Sequence, residues 1–511
     1  MPFQHLDQSL RESVKRHPHA LAYSFMGREV TYEQLDHDVS HVSAFFHSLG
    51  LKHGDGLALI LPNSDAFVTI YHAALRLGMY CVPINPTYTI QEIFYLLQDS
   101  QVKVVVAPHQ MAQLAGPLLG MMPGLHLIAV GQPEGELAHG IITYQSIFDE
   151  KSYPEFTIQQ PLDPEDLAVI LYTSGTTGKP KGAMLTHTNL SSNADLIGDH
   201  LELTQVDHVL VVLPMFHVFC LTVCLNASIY RGAHMVILPR FSPIDTLTVM
   251  QKDRITLFAG VPTMYNFMLQ AARDQTFDLT AIRYCLSGGA AMPEAVQRGF
   301  EQKFGVVILE GYGLSEASPV TCFAPVDGRP RKIGSIGLTL PMVEQKIVDL
   351  QDEEVPVGSV GELVVRGPNV MKGYWHRDEE TNIALRNGWL HTGDLAKVDE
   401  EGYFYIVDRK KDMIIVGGFN VYPREVEEVL FLHPAIQEAA VVGVRDDNYG
   451  ESVVACIVRK DASLTEQAIM DYCHEHLAKY KCPTKVVLYD ELPKNTTGKV
   501  MRRILREQMQ V

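Results

Sequence analysis

The sequence predicts an α/β protein with a large N-terminal domain of packed mixed β-sheets and helices, followed by a small, hinged α+β C-terminal domain. Three observations lead to this prediction. Short apolar runs alternate with amphipathic stretches along most of the chain, as expected of sheets covered by helices. The length of 511 residues exceeds that of one ordinary domain. A run of five charged residues at 408–412 interrupts the pattern before the last hundred or so residues.

The apolar runs of the large domain give its predicted helices and strands. Residues 65–77 (DAFVTIYHAALRL) have the wide apolar face of a buried helix. Other apolar runs are too short for helices and predict buried strands. These strands are at 102–107, 167–171, 235–238, 256–259 and 306–309.

The charged run DRKKD at 408–412 marks the predicted domain boundary. It follows strand-like residues, and a solvent-exposed hinge suits it better than a core element. We therefore predict a large domain at 1–408, a hinge at 409–412 and a small domain at 413–511. The small domain's predicted elements are helices at 423–431 and 465–478 and strands at 438–444 and 453–458.

Charge and cysteine content exclude several classes of protein. The formal net charge is −18, whereas a nucleic-acid-binding surface needs a basic stripe, so no nucleic-acid partner is expected. The eight cysteines are scattered and the N-terminus is polar, which favours reduced thiols and a cytoplasmic location. No run of about 18 apolar residues predicts a transmembrane segment, although peripheral membrane contact stays open. We expect a monomer or a homodimer.

The stretch LYTSGTTGKPKG is the strongest candidate for a ligand-binding loop. It follows a predicted buried strand, and helix-compatible sequence resumes at Leu185. Glycines let backbone N–H groups approach an anion, while hydroxyls and lysines add donors, so a polyphosphate is the expected ligand. The Walker A pattern does not fit, because only two residues separate the first two glycines and a proline follows the first lysine.

Several motifs together resemble those of the adenylate-forming superfamily, which includes acyl- and aryl-CoA synthetases, peptide-synthetase adenylation domains and beetle luciferases. They follow the family's order over essentially the whole chain, and the likeness is greatest to bacterial fatty-acyl-CoA synthetases. The resemblance implies ATP, Mg²⁺ and CoA as cofactors. The motifs are TSGTTGKPKG (173–182), SGGAA (287–291), GYGLSE (311–316), GWLHTGD (388–394), DRKKD (408–412) and PKNTTGK (493–499).

The resemblance implies a two-step reaction with named catalytic residues. A carboxylate attacks the α-phosphate of ATP, and no general base is needed because the acid is already ionised near neutral pH. Lys499 on a loop of the small domain is implied to stabilise the charge that develops, and Glu316 to bind Mg²⁺ together with Thr173. Lys411 matches the residue about which the small domain rotates before CoA attacks.

Other residues are implied to bind the substrates. His217 and Gly288 shape the acyl pocket, and Gly417 and Gly418 allow close passage of the pantetheine arm of CoA. The residues implied to bind the nucleotide are Thr173, Ser174, Gly175, Thr176, Thr177, Lys181, Gly289, Ala290, Gly311, Tyr312 (against adenine), Gly313, Ser315, Asp394 and Arg409 (both at the ribose) and Lys499.

The segment PMFHVFC at 214–220 favours a fatty acid as the substrate. Amino-acid-activating relatives place an aspartate after the phenylalanine to pair with the substrate ammonium, but His217 stands there. Malonate ligases offer an arginine where this chain has Gly311. The apolar surroundings suit an alkyl chain or an aromatic ring. The alternatives are an aryl-CoA ligase (benzoate- or cinnamate-like) and, more remotely, a non-catalytic nucleotide or acyl-CoA sensor, against which the retention of Lys499 and Glu316 weighs.

Three further groups of residues carry weaker signals. His217, Cys220 and Cys224 share helical spacing, but a pocket or core wall explains them better than a metal site. The sequence CHEH at 473–476 indicates a solvated helix face. The basic residues suit either the phosphates of CoA or a solvated tail; they are Lys479, Lys481, Arg502 and Arg503.

Overall fold

The computed structural model describes residues 5–114, 122, 124–131, 139–149, 153, 162–173, 180–446, 449–495 and 498–509. These residues form four β-sheets with helices packed against them. The α/β class agrees with the sequence prediction.

The first large sheet has a parallel centre between antiparallel edges. Strands Leu257–Gly260 and Tyr284–Ser287 pair in parallel near its middle. Consecutive residues of Leu257–Gly260 are buried on both faces, which explains its unbroken apolar sequence. In spatial order, the strands of this sheet that the structure describes are Leu338–Thr339, Val320–Phe323, Ile308–Gly313, Tyr284–Ser287, Leu257–Gly260, His208–Val211, His234–Ile237, Leu21–Phe25 and Arg28–Thr31.

The second large sheet carries the strands on either side of the predicted phosphate loop. Leu167–Thr173 pairs in parallel with Tyr80–Pro83 on one side and antiparallel with Lys181–Thr186 on the other. The hairpin therefore lies towards one edge of the sheet. In spatial order, its described strands are Gly373–Tyr374, Lys181–Thr186, Leu167–Thr173, Tyr80–Pro83, Gly56–Leu59, Val102–Pro108, His126–Val130 and Ile141–Thr143.

Helices cover the two large sheets. Asp65–Arg76, predicted at 65–77, begins after Ser64, whose side chain accepts a hydrogen bond from the N–H of Phe67 over 3.2 Å. None of the helices that the structure describes is long and apolar enough to cross a membrane. The helices of this part of the chain are Leu6–Arg16, Tyr32–Ser48, Asp65–Arg76, Ile90–Asp99, His109–Leu114, His187–His200, Ala227–Arg231, Pro243–Lys252, Pro262–Ala271, Glu294–Phe304 and Asp378–Ala384, with a π-helix at Cys220–Asn226 and 3₁₀ turns at Gln145–Phe148, Ser315–Ala317 and Arg386–Gly388.

A smaller antiparallel sheet ends at the predicted hinge. The expectation of a solvent-exposed charged run is wrong for Asp408 and Asp412, which are 4% and 8% exposed. Asp408 accepts a hydrogen bond from the backbone N–H of Arg424, and Asp412 pairs with Arg502 and Arg506. Burial of both carboxylates is tolerated because each has partners in the small domain. The strands of this sheet are Glu344–Val348, Gly361–Arg366, Leu390–Val398 and Phe404–Arg409.

The small domain has a sheet and an apolar core of its own. Its helix Pro423–Phe431 is the one predicted at 423–431, and the other predicted elements recur with slightly different ends. Its strands are Phe419–Val421, Ile414–Val416, Gly450–Arg459 and Ile436–Asp446, with Lys485–Tyr489 paired to Gly450–Arg459. Its other helices are Glu466–His476 and Arg502–Met509, with a 3₁₀ turn at Lys479–Lys481.

Candidate active site

The predicted phosphate loop joins two antiparallel strands. Thr173 pairs with Lys181 at the loop end of the hairpin formed by Leu167–Thr173 and Lys181–Thr186. The expectation of helix-compatible sequence from Leu185 is therefore corrected. The helix begins at His187, where a capping box at Thr186 ends the strand. The predicted loop residues Ser174, Gly175, Thr176 and Thr177 lie outside the described residues.

Glu316 lies beside this hairpin. Ser315 and Glu316 occupy the 3₁₀ turn after strand Ile308–Gly313. The hydroxyl of Thr173 is 3.4 Å from Oε1 of Glu316, so the structure brings together the two predicted Mg²⁺ ligands. A carboxylate and a hydroxyl are hard oxygen donors of the type that Mg²⁺ prefers. This donor set fits the predicted metal.

The glycines around Tyr312 permit close backbone packing. A Cβ on Gly311 would lie 2.5 Å from the ring of Phe323, and one on Gly313 would lie 2.2 Å from the carbonyl oxygen of Pro319. The position at which malonate ligases offer an arginine is therefore sterically closed here. Gly288, Gly289 and Ala290 follow the neighbouring strand Tyr284–Ser287, with Gly288 buried and the next two residues exposed.

Tyr312, Asp394 and Arg409 form a connected group. The phenol of Tyr312 donates a hydrogen bond to Oδ2 of Asp394 over 2.5 Å. Asp394 and Arg409 are paired across neighbouring strands, with Nε of Arg409 3.6 Å from Oδ1 of Asp394. Burial, together with the nearby Asp394 carboxylate, raises the pKa of Tyr312 well above its usual value. The phenol thus remains a hydrogen-bond donor.

Glu362 stabilises the backbone next to Asp394. Its Oε1 accepts a hydrogen bond from the N–H of Gly393 over 3.1 Å, and its Oε2 is 3.2 Å from Nζ of Lys410. The N–H of Lys410 in turn donates to the carbonyl oxygen of Gly393 over 2.9 Å. The strand that carries Asp394 is therefore bonded directly to the start of the predicted hinge.

The loop that carries Lys499 packs against the large domain. Gly498, which has a positive φ of 77°, lies so close to Thr263 that a Cβ would be 2.6 Å from Oγ1 of that residue. Burial, together with the nearby Arg409, lowers the pKa of Lys499 to about 7. The Asp394 carboxylate acts in the opposite direction, so Lys499 lies within electrostatic reach of both Asp394 and Arg409.

His217 lies close enough to Lys499 to be affected by its charge. Burial, with a smaller contribution from the Lys499 ammonium, lowers the pKa of His217 to about 4. Its Nδ1 accepts a hydrogen bond from the N–H of Phe219 over 3.2 Å, which leaves the proton of the neutral ring on Nε2. Phe219 also contacts Gly288, since a Cβ on that glycine would lie 3.3 Å from its ring.

Cys220 and Cys224 follow in the π-helix Cys220–Asn226, and every residue of that helix is buried. All eight cysteines are buried free thiols, in line with the predicted reduced state. Residues 473–476 end a helix, with Cys473 in the core and the next three side chains exposed. Cys220 and Cys224 therefore lie in a buried wall, as expected, and residues 474–476 lie on a solvated helix face.

The residues predicted for the second step lie elsewhere. Gly417 and Gly418 form the exposed turn between Ile414–Val416 and Phe419–Val421, and the N–H of Gly417 donates to the carbonyl oxygen of Tyr449 over 2.8 Å. Lys411 is exposed in the turn between the two domains' sheets. Among the described residues, no hydrogen bond joins Lys411, Gly417 or Gly418 to the phosphate hairpin.

The basic residues of the C-terminal region do not form one surface patch. Arg502 pairs with Glu427 at 2.8 Å and Lys481 with Glu425 at 2.5 Å. Arg503 is mostly exposed and bonds to Glu507 within its own helix. Arg502 therefore belongs to a structural ion-pair network rather than to a solvated tail.

Tyr374 and Glu380, which belong to none of the motifs described above, both lie next to Lys181. The ring of Tyr374 is 5.4 Å from Nζ of Lys181, and its hydroxyl donates to Oε1 of Glu316 over 2.9 Å. Oε1 of Glu380 is 4.0 Å from Nζ of Lys181. The aromatic pair in KGYWHRDEE (372–380) was the available sequence signal for these two residues. The strand Gly373–Tyr374 has only two residues, so it is too short to show a periodic pattern.

The fold and the site together define an adenylate-forming enzyme. The fold has two large sheets and a smaller antiparallel sheet, and the small domain brings a lysine towards the Tyr312–Asp394–Arg409 group. The family model described as AMP-binding enzyme matches residues 10–375, and that described as AMP-binding enzyme C-terminal domain matches residues 425–499. The chain therefore belongs to the AMP-binding enzyme family.

Individual relatives span nearly the whole chain. A long-chain-fatty-acid–CoA ligase of Bacillus subtilis (strain 168) is 40% identical over 99% of this chain and 95% of its own length. The crystal structure of ATP-bound MatB from Rhodopseudomonas palustris matches with a TM-score of 0.90 and 34% identity, covering 99% of this chain and 98% of that one. The anthranilate CoA ligase AuaEII in complex with anthranoyl-AMP matches with a TM-score of 0.92 and 28% identity, covering 100% and 98%.

Proposed function

We propose that this enzyme is a fatty-acid–CoA ligase acting on medium- to long-chain acids. It joins the fatty acid to ATP to give acyl-adenylate and pyrophosphate, and then transfers the acyl group to CoA with release of AMP. The observation that carries the proposal is the packing of the Lys499 loop against the large domain at Thr263, which brings its ammonium within electrostatic reach of Asp394, Arg409 and His217. Near-full-length similarity to a long-chain-fatty-acid–CoA ligase supports the choice of substrate.

The first step needs two anions held together and the added charge stabilised. Asp394 and Arg409 bind the ribose and Tyr312 lies against adenine, which places the α-phosphate near the Lys499 ammonium. Lys181 and the loop before it hold the departing pyrophosphate. Glu316 and Thr173 would hold Mg²⁺, which when bound would neutralise phosphate charge. Of the other residues implied to bind the nucleotide, those that the structure describes are at or after the ends of strands Tyr284–Ser287 and Ile308–Gly313.

The acid enters next to His217. Because His217 is neutral and carries its proton on Nε2, it can donate a hydrogen bond without holding the carboxylate in an ion pair. An ion pair at this point would lower the nucleophilicity of the carboxylate. Gly288 leaves room for Phe219, so the pocket next to the reacting carboxylate is apolar, as an alkyl chain requires.

The second step requires Lys499 to leave. The proposed domains are 1–408 and 413–511 with the hinge at 409–412, and Lys411 is the residue whose backbone rotates. Rotation exchanges the Lys499 loop for the turn at Gly417 and Gly418, past which the pantetheine arm reaches the acyl-adenylate. CoA is the proposed acceptor, in a cytoplasmic enzyme that is a monomer or a homodimer.

An aryl-CoA ligase is the second candidate. The observation that favours it is the similarity to the anthranilate CoA ligase AuaEII over the whole chain. An aromatic acid and an alkyl acid make the same demands on Lys499, Asp394 and His217. They differ in the depth of apolar pocket that they need beyond His217.

The experiment is AMP release from ATP, Mg²⁺ and CoA with straight-chain acids from acetate to oleate, benzoate and 4-coumarate. A maximum among the longer alkyl acids, dependent on CoA, is the expected result. A maximum on the aromatic acids would establish the second candidate. Binding of ATP with no turnover of any acid would contradict both and favour a nucleotide sensor.

Two variants divide the half-reactions. Lys499→Ala should abolish formation of acyl-adenylate but leave thioester formation from pre-made acyl-adenylate largely intact. Lys411→Pro should spare adenylation more than thioester formation, because a fixed φ hinders rotation. Equal loss of both half-reactions in either variant would refute the proposed division of roles.

A further inference from the structure

Glu316 receives a hydrogen bond from outside the motif that carries it. The phenolic hydroxyl of Tyr374 donates to Oε1 of Glu316 over 2.9 Å. The backbone of the same segment also reaches Glu316, since the N–H of Met371 donates to its carbonyl oxygen over 2.8 Å. Residues 371–374 therefore hold Glu316 by its side chain and by its backbone.

Tyr374 is itself firmly placed. Strand Gly373–Tyr374 pairs antiparallel with Lys181–Thr186, so that Tyr374 lies opposite Ala183 and diagonal to Lys181. This register explains the 5.4 Å between Nζ of Lys181 and the Tyr374 ring. The N–H of Tyr374 donates to Oγ1 of Thr381 over 2.8 Å. Backbone pairing on one side and Thr381 on the other fix the direction of the phenol.

The chemistry of the contact suits orientation of a metal ligand. Oε1 of Glu316 accepts from both Tyr374 and, at 3.4 Å, the hydroxyl of Thr173. Among the described residues, Oε2 of Glu316 has no hydrogen-bond donor of its own, so that oxygen is left to face a cation. Hydrogen-bonded partners of carboxylate ligands orient them and raise metal affinity.

We propose that Tyr374 is a positioning residue that orients Glu316 for the Mg²⁺ of MgATP and, through its ring, places the Lys181 ammonium beside the same phosphates. This inference rests on the proposed function, in which Glu316 is the metal ligand. Tyr374 touches neither ATP nor the reacting carboxylate in this role. It acts through Glu316 and Lys181.

The test is calorimetric binding of ATP to the full-length enzyme, with MgCl₂ in one series and EDTA in the other, in the absence of fatty acid and CoA. Tyr374→Phe retains the ring but removes the hydroxyl. We expect the Kd for MgATP to rise about tenfold, as for other partners of metal ligands, while the Kd for metal-free ATP stays within about twofold of the parent value. A merely structural defect would weaken both.

Tyr405→Phe is the matched control. Tyr405 lies in the smaller antiparallel sheet and donates a hydrogen bond to a carboxylate, Asp399, over 3.0 Å. Loss of its hydroxyl should leave both Kd values unchanged. The double variant Tyr374→Phe/Glu316→Gln should bind MgATP no more weakly than Glu316→Gln alone, because Tyr374 acts through the carboxylate.

The outcomes separate this inference from the proposed function. If Glu316→Gln weakens MgATP selectively but Tyr374→Phe does not, or if the two effects add in the double variant, the positioning role is overturned and the metal-ligand assignment stands. Equal weakening of MgATP and metal-free ATP by Tyr374→Phe also overturns the positioning role. If Glu316→Gln itself has no selective effect, the assignment of Glu316 as the metal ligand fails.

Discussion

The hydroxyl of Tyr312 donates a hydrogen bond to Oδ2 of Asp394 over 2.5 Å, across two different sheets. In the proposed function, Tyr312 lies against adenine and Asp394 binds the ribose. A hydrogen bond to a charged carboxylate is stronger and shorter than a neutral one, so it fixes the two side chains relative to each other. The adenine and ribose contacts are thus aligned before ATP binds.

Tyr312→Phe keeps the aromatic ring but frees Asp394. We expect the KM for ATP to rise about tenfold, since a hydrogen bond to a charged group contributes about 1.5–3 kcal/mol, with little change in the KM for the fatty acid. Initial rates of AMP release measure both constants. Tyr405→Phe, which removes a phenol–carboxylate bond to Asp399 of 3.0 Å, is the control. A change confined to the KM for the fatty acid would contradict this interpretation.

The pKa of about 7 for Lys499 predicts a pH dependence of adenylation. In the proposed function, Lys499 must be an ammonium to stabilise the phosphates, and in the free enzyme it loses its proton above about pH 7. We therefore expect kcat/KM for ATP to fall about tenfold per pH unit above pH 7. The rate of pyrophosphate exchange into ATP measures this. Lys499→Arg, whose guanidinium stays charged, should flatten the decline; an unchanged slope in that variant would assign the pH dependence to another group.

The contact between Gly498 and Thr263 predicts that small changes there misplace Lys499. In Gly498→Ala the new Cβ would lie 2.6 Å from Oγ1 of Thr263, so the loop must shift. We expect adenylation to fall about 100-fold, the usual effect of an ångström-scale displacement, with thioester formation from pre-made acyl-adenylate retained.

Two variants control this experiment. Gly305→Ala introduces a Cβ at a similar positive φ of 67° but with no atom within 4 Å, so it tests backbone strain without the collision. Thr263→Ala in the Gly498→Ala background removes the colliding oxygen and should recover part of the adenylation rate. No recovery would show that strain, rather than the contact, causes the loss.

Buried neutral histidines predict sensitivity to acid. Both ring nitrogens of His72 are buried without a hydrogen-bond partner among the described residues, and burial lowers its pKa to about 4. The unfolded chain therefore binds a proton between about pH 6.5 and pH 4 that the folded chain does not. The free energy of unfolding is unaffected above pH 6.5 and falls as the pH drops through this range.

His72→Phe should remove the contribution of His72 to the pH dependence of the free energy of unfolding. Between pH 7 and pH 5 the parent should lose about 2 kcal/mol more of its unfolding free energy than the variant does. Urea midpoints at the two pH values measure the difference. The variant should still lose some stability through His5 and His187, which stack with ring centroids 3.3 Å apart and have pKa values lowered by burial. Equal pH dependence in parent and variant would contradict the prediction.

Lys499, Glu316, Asp394 and Tyr312 could be predicted from the sequence because each stands in a motif whose neighbours specify it. The fold class and the helix at 423–431 could be predicted because apolar periodicity is a local property. The site roles themselves remain proposals to be tested by the variants above.

Contacts between distant segments could not be predicted. Asp412 lies in a charged run, yet it is buried because Arg506, 94 positions later, pairs with it. Tyr374 reaches Glu316 only because a two-residue strand pairs with Lys181–Thr186. Leu185, from which helix-compatible sequence was expected, instead lies in strand Lys181–Thr186, since a short β-run next to a helix cap has little periodicity of its own.

Glu362 joins Gly393 to Lys410, and the backbone of these two residues is also directly bonded. A domain rotation that begins after Lys410 leaves all of these bonds intact. In the proposed function, the ribose contact at Asp394 then stays the same in both half-reactions, and only the group presented to the acyl-adenylate changes. The reactive intermediate can therefore remain held by its ribose while its partners are exchanged, which limits its escape into bulk water before CoA attacks.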